Sequence, residues 1–581
     1  MPNALLVYPK FPPSYWGMQY ALEFVGKKSA MPPLGLLTVA AMFPEEYSLR
    51  VRDMNVTPLT EADLEWADLV FTSTMIVQEQ SLREVIDACR RHQIPVVAGG
   101  PHPTTFFEEI EGVSHFVLGE VENTFPEFLR DLKNGVALKM YHPPEKPDVS
   151  HTPSPRYDLI RLKDYQSMAL QFSRGCPFDC EFCDITKLFG RVARTKTNAQ
   201  VLTEFDHLYN LGWRGPLFLV DDNFIGNKKA ALDLLPEVAK WQKERDYPFS
   251  LFTEASVNLA RMDSLMDAMV AAGFTMTFLG IESPNAEALL KTKKGQNVSR
   301  GKADFLLDAV RTIQSKGMEV TGGFILGLDG DREDVFDSQI EFIQQAGIPL
   351  AMVGLLTAVK GTDLYTRLEK EGRLVDKSQG DNVSFNLNFR PEMDKKVLLD
   401  GYKRVLSTLY DPTLEKYFER CLLLLERLEP TAHGARKVRG TELLALAKSV
   451  KRQLFSRQGP AYAKFIFRVL RGSPKMFPEA IRLAIMGYHF SKITSQQIAV
   501  HEFRDYLSRE LEGLSARLRS MRTAQAQGVA DLQARLRDLT QGARERYTRI
   551  HADFRHHVND AWEAFQEAAQ AVERELREHA A

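Results

Sequence analysis

Three of the chain's five cysteines, Cys176, Cys180 and Cys183, fall within eight residues in the stretch Ser173-Arg174-Gly175-Cys176-Pro177-Phe178-Asp179-Cys180-Glu181-Phe182-Cys183. A chain of 581 residues needs no disulfide framework to hold a core, so thiols this close together point to metal. Three thiolates make an incomplete set. A structural zinc closes its tetrahedron with a fourth Cys or His, whereas a four-iron cluster on three cysteines leaves one iron open to a small ligand. The cysteines alone leave both readings standing, a zinc knuckle completed by a distant histidine and an open, reactive iron. Cys89 and Cys421 sit in helical patterns and read as buried small hydrophobes.

The elements that must position this loop follow from the hydrophobic pattern. Residues 1–140 alternate short apolar strands, at 4–8, 48–53, 69–73, 95–100 and 115–119, with amphipathic helices such as 80–92. That alternation predicts an α/β domain with a doubly wound parallel sheet, whose ligands bind beyond the carboxyl ends of the strands. Polar or glycine-rich turns mark those ends: Asp53-Met54-Asn55, Ser73-Thr74-Met75, Gly99-Gly100-Pro101-His102-Pro103-Thr104 and Gly119-Glu120-Val121-Glu122. Residues 141–165 hold five prolines and predict a linker. From 166 to 375 the alternation resumes. Strands at 168–172, 217–220, 250–253, 277–280 and 320–327 end in polar clusters, as in Asp221-Asp222-Asn223, Glu254-Ala255-Ser256 and Ile281-Glu282-Ser283. A partial βα barrel with its chemistry at the carboxyl strand ends is the economical fold. A mainly helical domain is expected over 376–500 and a long helical or coiled-coil extension over 501–581.

The spacing C-x3-C-x2-C, preceded by Arg-Gly and followed by Asp184, resembles that of the radical S-adenosylmethionine (radical SAM) enzymes. The resemblance implies a 4Fe-4S cluster on Cys176, Cys180 and Cys183, whose open iron binds SAM and cleaves it reductively, and an electron donor such as flavodoxin or ferredoxin. For SAM it points to Asp222, Asn223, Glu254, Ser256 and Glu282, and to Gly323 and Gly327 of a Gly-x-Ile-x-Gly series where backbone approaches the adenine. Each of these alone reads as well as an ion pair or a tight turn; their order along the chain is the specific signal. Arg194 suits a SAM carboxylate, a cobalamin phosphate or a solvated helix start.

A doubly wound domain ahead of this core resembles the cobalamin-binding domain of cobalamin-dependent radical SAM enzymes, in its Gly-Gly-Pro-His and Gly-Glu-x-Glu turns. Cobalamin is then expected at Asp53, Asn55, Ser73, Thr74, Gly99, Gly100, His102, Gly119 and Glu120. The second-strand turn lacks the Asp-x-His-x-x-Gly element that supplies an axial histidine elsewhere, so no protein imidazole is expected beneath the cobalt. His102 reads first as a turn histidine hydrogen-bonding its own loop. A nucleotide, or no cofactor, is the bland alternative for such turns. A methylthiotransferase fails on count, because only Cys89 precedes Cys176. Further on, Lys360-Gly361-Thr362-Asp363-Leu364-Tyr365 resembles a family segment with prolines at the first and fourth positions. Residues 386–389 and 393–410 resemble the C-terminal domain of a branch that includes the hopanoid methylases.

Composition bounds the rest. A net charge of −2 carries no signature of nucleic-acid binding, the first residues show no basic leader or cleavage site, and no apolar run in the sequence reaches spanning length, so the cytoplasm is expected. Residues 434–492 hold thirteen Lys or Arg against two Asp or Glu, with Tyr462, Phe465, Ile466, Val469 and Leu470 at helical spacing. This basic amphipathic segment suits peripheral contact with an anionic membrane, substrate phosphates, or an acidic neighbouring domain. In 501–581 an apolar stripe from Leu514 to Leu576 repeats at about 3.65 residues, which predicts a hairpin bent near Gly528 or Gly542, or self-association.

The expectation for function is a cobalamin-dependent radical SAM C-methyltransferase acting on an unactivated carbon of a lipid or polycyclic small molecule. Polar methyl transfer needs an electron pair that an sp3 C–H carbon lacks; radical chemistry does not. The alternatives are a cyclase or rearrangement enzyme with the same cofactors, and a non-catalytic cobalamin sensor.

Overall fold

The computed structural model describes residues 1–299, 304–381, 383–428, 440–521 and 527–580. The chain divides into two compact units, 1–489 and 490–581.

The first unit opens with six parallel strands: β1 (Asn3–Tyr8), β2 (Ser48–Asp53), β3 (Leu69–Ser73), β4 (Val96–Gly99), β5 (His115–Val117) and β6 (Met140–Tyr141), in the order β2-β1-β3-β4-β5-β6. β1 is central and buried on both faces, which is why it reads as a continuous apolar run. Its alternation sorts side chains between two cores. Leu5 and Val7 pack with Leu82, Val85 and Ile86 of helix Glu79–Arg91, and Ala4 and Leu6 pack with Leu36, Phe125 and Phe128 on the other face. Winding reverses between β1 and β3, so the crevice of the sheet opens at the ends of those strands. Cys89 is buried in the first of these cores.

Residues 141–165 are not a free linker. Tyr141 belongs to β6, and a series of short 3-10 turns follows, over Val149–His151, Tyr157–Leu159 and Leu162–Asp164. Buried Tyr157 donates to the Ala169 carbonyl, and Tyr165 reaches back to Asp53. The prolines stop regular structure without stopping packing.

The second sheet holds β7 (Met168–Leu170), β10 (Pro216–Leu219), β11 (Ser250–Ala255), β12 (Phe274–Glu282), β13 (Glu319–Leu326) and β14 (Ala351–Leu355), all parallel and in sequential order. One-way winding of βα units is the geometry of a partial barrel. β14 was not legible as a strand, because its short apolar run lacks a following turn signal. Between β7 and β10 a two-stranded antiparallel neck, β8 (Ser173–Arg174) with β9 (Arg194–Thr195), closes the cysteine loop.

Helices Lys395–Leu409 and Glu415–Arg427 pack behind the barrel, where Cys421 is buried. Helices Gly440–Ser449 and Gly459–Gly472 follow, and helix Phe477–Met521 runs on into the second unit. In that unit helices Gln527–Arg549 and Asn559–Ala580 form a hairpin. Its turn buries Ile550, Phe554 and Val558, and Tyr547 stacks on Trp562 at 5.2 Å. Gly542 is therefore mid-helix and Gly528 lies in a first helical turn, while residues 522–526, just before Gly528, fall outside the described residues.

Candidate functional site

The carboxyl ends of the first sheet form a cradle. Asp53 accepts from Asn55 N and Nδ2 at 2.9 and 2.8 Å and from Tyr165 Oη at 3.0 Å. Burial raises its pKa, opposed by those bonds. Gly100 has φ +91°, and a Cβ there would stand 2.7 Å from Ser73 Oγ and 2.8 Å from Thr74 N, so only glycine fits. Gly99 likewise lies against the Val117 carbonyl, and Gly119 N donates to Thr104 Oγ1 at 2.9 Å. His102 is not tied to its loop by its side chain. Its backbone N–H donates to the Thr74 carbonyl at 2.9 Å, while buried Nδ1 and the buried Thr74 hydroxyl have no partner among the described residues. Orphaned buried polar atoms are costly, and beside a glycine cradle they mark a surface built for a ligand. The donor set fits cobalamin, with His102, Thr74 and Ser73 available to its polar groups.

Glu120, at the end of the same sheet, is committed differently. It accepts from Arg174 Nη1 at 3.0 Å and from Arg194 Nη2 at 2.7 Å, and Arg174 also meets Glu122 at 2.6 Å. Two guanidinium groups and two carboxylates, all mostly buried, thus clasp the turn after β5 to the neck of the cysteine loop. Arg194 further donates to the carbonyls of Pro147 and Phe189, so it is neither a solvated helix start nor free for an anionic ligand.

The cysteine loop hangs from that neck. Gly175, φ +96°, donates to Asp222 Oδ2 at 2.9 Å, and a Cβ would strike the carbonyls of Val192, Gly190 and Phe189. None of the three cysteines is in a disulfide. Asn223 Nδ2 approaches Cys176 Sγ at 3.8 Å and Gln296 Nε2 approaches Cys180 Sγ at 3.5 Å. A four-iron cluster spreads its thiolates over separate irons, and the loop fits that group.

The back of the loop is stapled to the segment 360–365. Leu364 N donates to the Glu181 carbonyl at 2.9 Å, and Arg367 binds the Glu181 carboxylate and Asp329. Asp363, where the family segment has proline, accepts from Lys187 at 2.7 Å and Lys293 at 2.9 Å. Lys360, the other departure, meets Glu109 at 3.2 Å beyond the Gly-Gly-Pro-His turn. Both departures thus replace proline with ion pairs that hold the two cofactor loops in place.

The barrel lumen faces the thiols. Asn223 and Ser256 bond each other, through Nδ2 to Oγ and Ser256 N to Oδ1, both at 3.2 Å. Glu254 is half-buried and has no partner among the described residues, and burial followed by repulsion from Asp222 and Asp221 pushes it up to about 8. Asp222 is raised to about 6, chiefly by burial. Asp221 is taken up by Ser173 and by the N–H of Phe172. Glu282, at φ +64°, is paired with Lys294 at 2.7 Å. The Lys294 ammonium, rather than Arg194, is the cation facing the thiols: burial disfavours its charge, but Glu282, Cys180 and Cys183 outweigh that and raise its pKa. No local pattern marks Lys294. Gly323 lies in the lumen beside the Phe278 ring, whereas Gly327, φ +87°, turns away: its N–H donates to Asp331 and a Cβ would meet Leu398 of helix Lys395–Leu409.

These two sheets, with a cysteine loop between them, define the architecture of cobalamin-dependent radical SAM proteins. The chain matches the B12 binding domain over residues 27–129, the radical SAM superfamily over 170–343 and a domain of unknown function, DUF4070, over 362–502. It shares its fold with the cobalamin-dependent S-adenosylmethionine radical enzyme OxsB with aqua-cobalamin bound, at 14% identity and a TM-score of 0.56 over 85% of this chain and 84% of that one. The radical SAM methyltransferase TsrM from Kitasatospora setae, with cobalamin and a 4Fe-4S cluster bound, gives 16% identity and a TM-score of 0.54 over 83% and 99%. In sequence it is 42% identical to an uncharacterized methyltransferase of Synechocystis sp. over 87% of this chain and 95% of the relative, and 36% identical to the hopanoid C-2 methylase of Rhodopseudomonas palustris over 70% and 77%. The chain belongs to the cobalamin-binding radical SAM enzyme family, in the branch with the C-terminal domain seen in hopanoid methylases. It is a radical SAM enzyme of methyltransferase type, with a 4Fe-4S cluster, SAM and cobalamin as cofactors. No helix among the described residues is long and apolar enough to cross a membrane.

Proposed function

We propose that the enzyme methylates an unactivated carbon of a neutral, polycyclic or lipid-like acceptor. The observation that carries this reading is the lumen wall. Along β11 to β14 fully buried residues alternate with half-buried ones, and the half-buried face holds Phe252, Phe278, Ile325 and Met352 with Gly280, Gly323 and Gly354 between them. Trp16, itself 38% exposed, meets Phe278 at 4.9 Å and extends this apolar surface toward the first sheet. The Glu282–Lys294 pair lies beside Gly280 and the Phe278 ring beside Gly323, so the charged groups of the strand ends fall near the cysteine loop, and the aromatic and aliphatic side chains on the rest of this face suit an apolar body. The relationship to a hopanoid C-2 methylase supports the same acceptor class.

In this reading Cys176, Cys180 and Cys183 hold the cluster, and the cofactors supply the radical and the carried methyl group when bound. The chain's own residues position and shield. Glu254 accepts from the ribose hydroxyls of SAM, Asn223 and Ser256 fix the wall beside its amino acid end, and Asp222 holds Gly175 and thereby the loop. Gly323 admits the adenine beside Phe278. Lys294 offers a positive charge to the SAM carboxylate. Asp53, Asn55, Ser73, Thr74, Gly99, Gly100, His102 and Gly119 form the cobalamin cradle, while Glu120 orients it through Arg174 and Arg194. An electron donor such as flavodoxin or ferredoxin would supply the electron that a cluster on these three cysteines needs.

The test is anaerobic reconstitution with iron, sulfide and hydroxocobalamin, then incubation with SAM, reductant and a panel of neutral polycyclic lipids and charged tetrapyrroles. A neutral product heavier by one methylene unit, with both deoxyadenosine and S-adenosylhomocysteine formed, is expected. Turnover confined to charged acceptors overturns the acceptor class. A product of unchanged mass, with deoxyadenosine alone, favours cyclisation or rearrangement.

A further inference from the structure

Residues 440–476 hold eight Lys or Arg and one acidic residue, Glu442. The same stretch exposes an unusual share of apolar surface. Of the sixteen large hydrophobic side chains exposed among the described residues, six are Leu443, Leu444, Leu454, Phe455, Phe467 and Leu470. Scattered exposed leucines need no explanation; a concentration within one basic segment does.

Helix Gly459–Gly472 shows how this surface is built. One side buries Tyr462, Phe465 and Val469 in the C-terminal domain, where Phe465 stacks on Phe418 at 4.7 Å. A helix buried on one side ordinarily turns polar residues outward. Here Ala463, Phe467 and Leu470, at i, i+4 and i+7, make a second apolar stripe on the outer side, with Phe467 64% and Leu470 50% exposed. Lys464, Arg468 and Arg471 fall beside it at the same helical spacing. Lys464 reaches Glu415 at 3.4 Å between two exposed side chains, and no acidic partner meets Arg468 or Arg471 among the described residues. Phe455, 83% exposed, stands in the turn before this helix.

We propose that this helical segment, 440–476, is a docking surface for an anionic lipid bilayer, with Phe467, Leu470 and Phe455 entering the headgroup layer and Arg468 and Arg471 pairing with lipid phosphates. Side chains standing this far out of the fold, flanked by cations, match the interfacial mode of membrane binding, which needs no spanning helix. A protein partner would need acidic groups and a pocket for each ring; a bilayer offers phosphate charge and apolar volume continuously. The inference rests on the surface alone and is independent of what the lumen binds.

The experiment is flotation of the full chain with phosphatidylcholine vesicles with and without phosphatidylglycerol, at low and high salt. Binding to the anionic vesicles, weakened by salt, is expected. F467D/L470D lowers the partition coefficient about tenfold or more, and R468Q/R471Q lowers it about fivefold per cation. Both variants should keep the parent's thermal unfolding and its reductive SAM cleavage. Absence of flotation, equal binding to neutral vesicles, or flotation unmoved by either double variant overturns the proposal. So does a lipid-free dimer that F467D/L470D dissolves while flotation stays absent, which would assign the face to a second copy of the chain.

Discussion

Glu120→Gln tests the clasp between the two cofactor domains. The wild-type cluster balances Arg174 and Arg194 against Glu120 and Glu122, with the Glu120 side chain 2% exposed. Removing one buried partner commonly costs about 3–5 kcal/mol, because the remaining charge is left uncompensated. Two features reduce that here: glutamine keeps one acceptor oxygen, and Arg174 retains Glu122 at 2.6 Å. Arg194 keeps only the carbonyls of Pro147 and Phe189. A destabilisation of about 2–3 kcal/mol is therefore expected. Arg194→Gln alone removes the stranded charge itself and costs less, and the double variant costs less than the two single ones together. Urea denaturation of the four cofactor-free proteins gives the coupling energy, expected at about 1–2 kcal/mol, and hydrogen exchange should rise over residues 173–196 in E120Q. A coupling below about 0.5 kcal/mol, the value for independent sites, would refute the clasp.

Glu254→Gln should change how stability depends on pH. With its pKa raised to about 8 by burial, the folded carboxyl keeps a proton that the unfolded chain releases near the ordinary glutamate value, so stability present at low pH is lost as pH rises through 8. The variant should gain on the parent between pH 5 and 8, by at most about 4 kcal/mol and by about 1–2 kcal/mol once water in the half-buried lumen screens the group; an equal melting-temperature difference at both pH values refutes this. Gly100→Ala forces a Cβ onto Thr74 N at positive φ and should cost about 1–3 kcal/mol and the retention of hydroxocobalamin, read by thermal unfolding and cobalt analysis. Cys183→Ser should lower reconstituted iron from about four per chain to below one while leaving cobalt unchanged, and loss of both metals would show that the two sites are not separate.

Much of this protein was legible in its sequence wherever the signal is local. Strands of a parallel sheet covered on both faces read as short apolar runs, and nine of the ten strands read in this way appear within about two residues of their expected ends; the exception, at 277–280, lies in the later part of a longer strand, Phe274–Glu282, whose first half is less apolar. Four were missed: Met140–Tyr141, Ser173–Arg174 and Arg194–Thr195 for their length of two residues, and Ala351–Leu355 for want of a turn. The proline-rich stretch after residue 141 looked like a linker because proline forbids regular structure but says nothing about contact, and Tyr165 on Asp53 shows the contact.

By itself the sequence determined the chemistry-bearing parts. The cysteine spacing, the glycine turns at the strand ends and the carboxylates that close β10 to β12 are set by residues near one another in the chain, where sterics and hydrogen bonding act over a few residues. Only the tertiary structure decided what those parts face. Glu120 meets Arg174 and Arg194 across 54 and 74 residues, and Lys294 turns to thiols that lie more than a hundred residues earlier. Gly327 serves a helix rather than the lumen because Leu398 arrives there. Charge pairing and close packing depend on which strand ends and loops come together in space, and no local pattern of residue types encodes that.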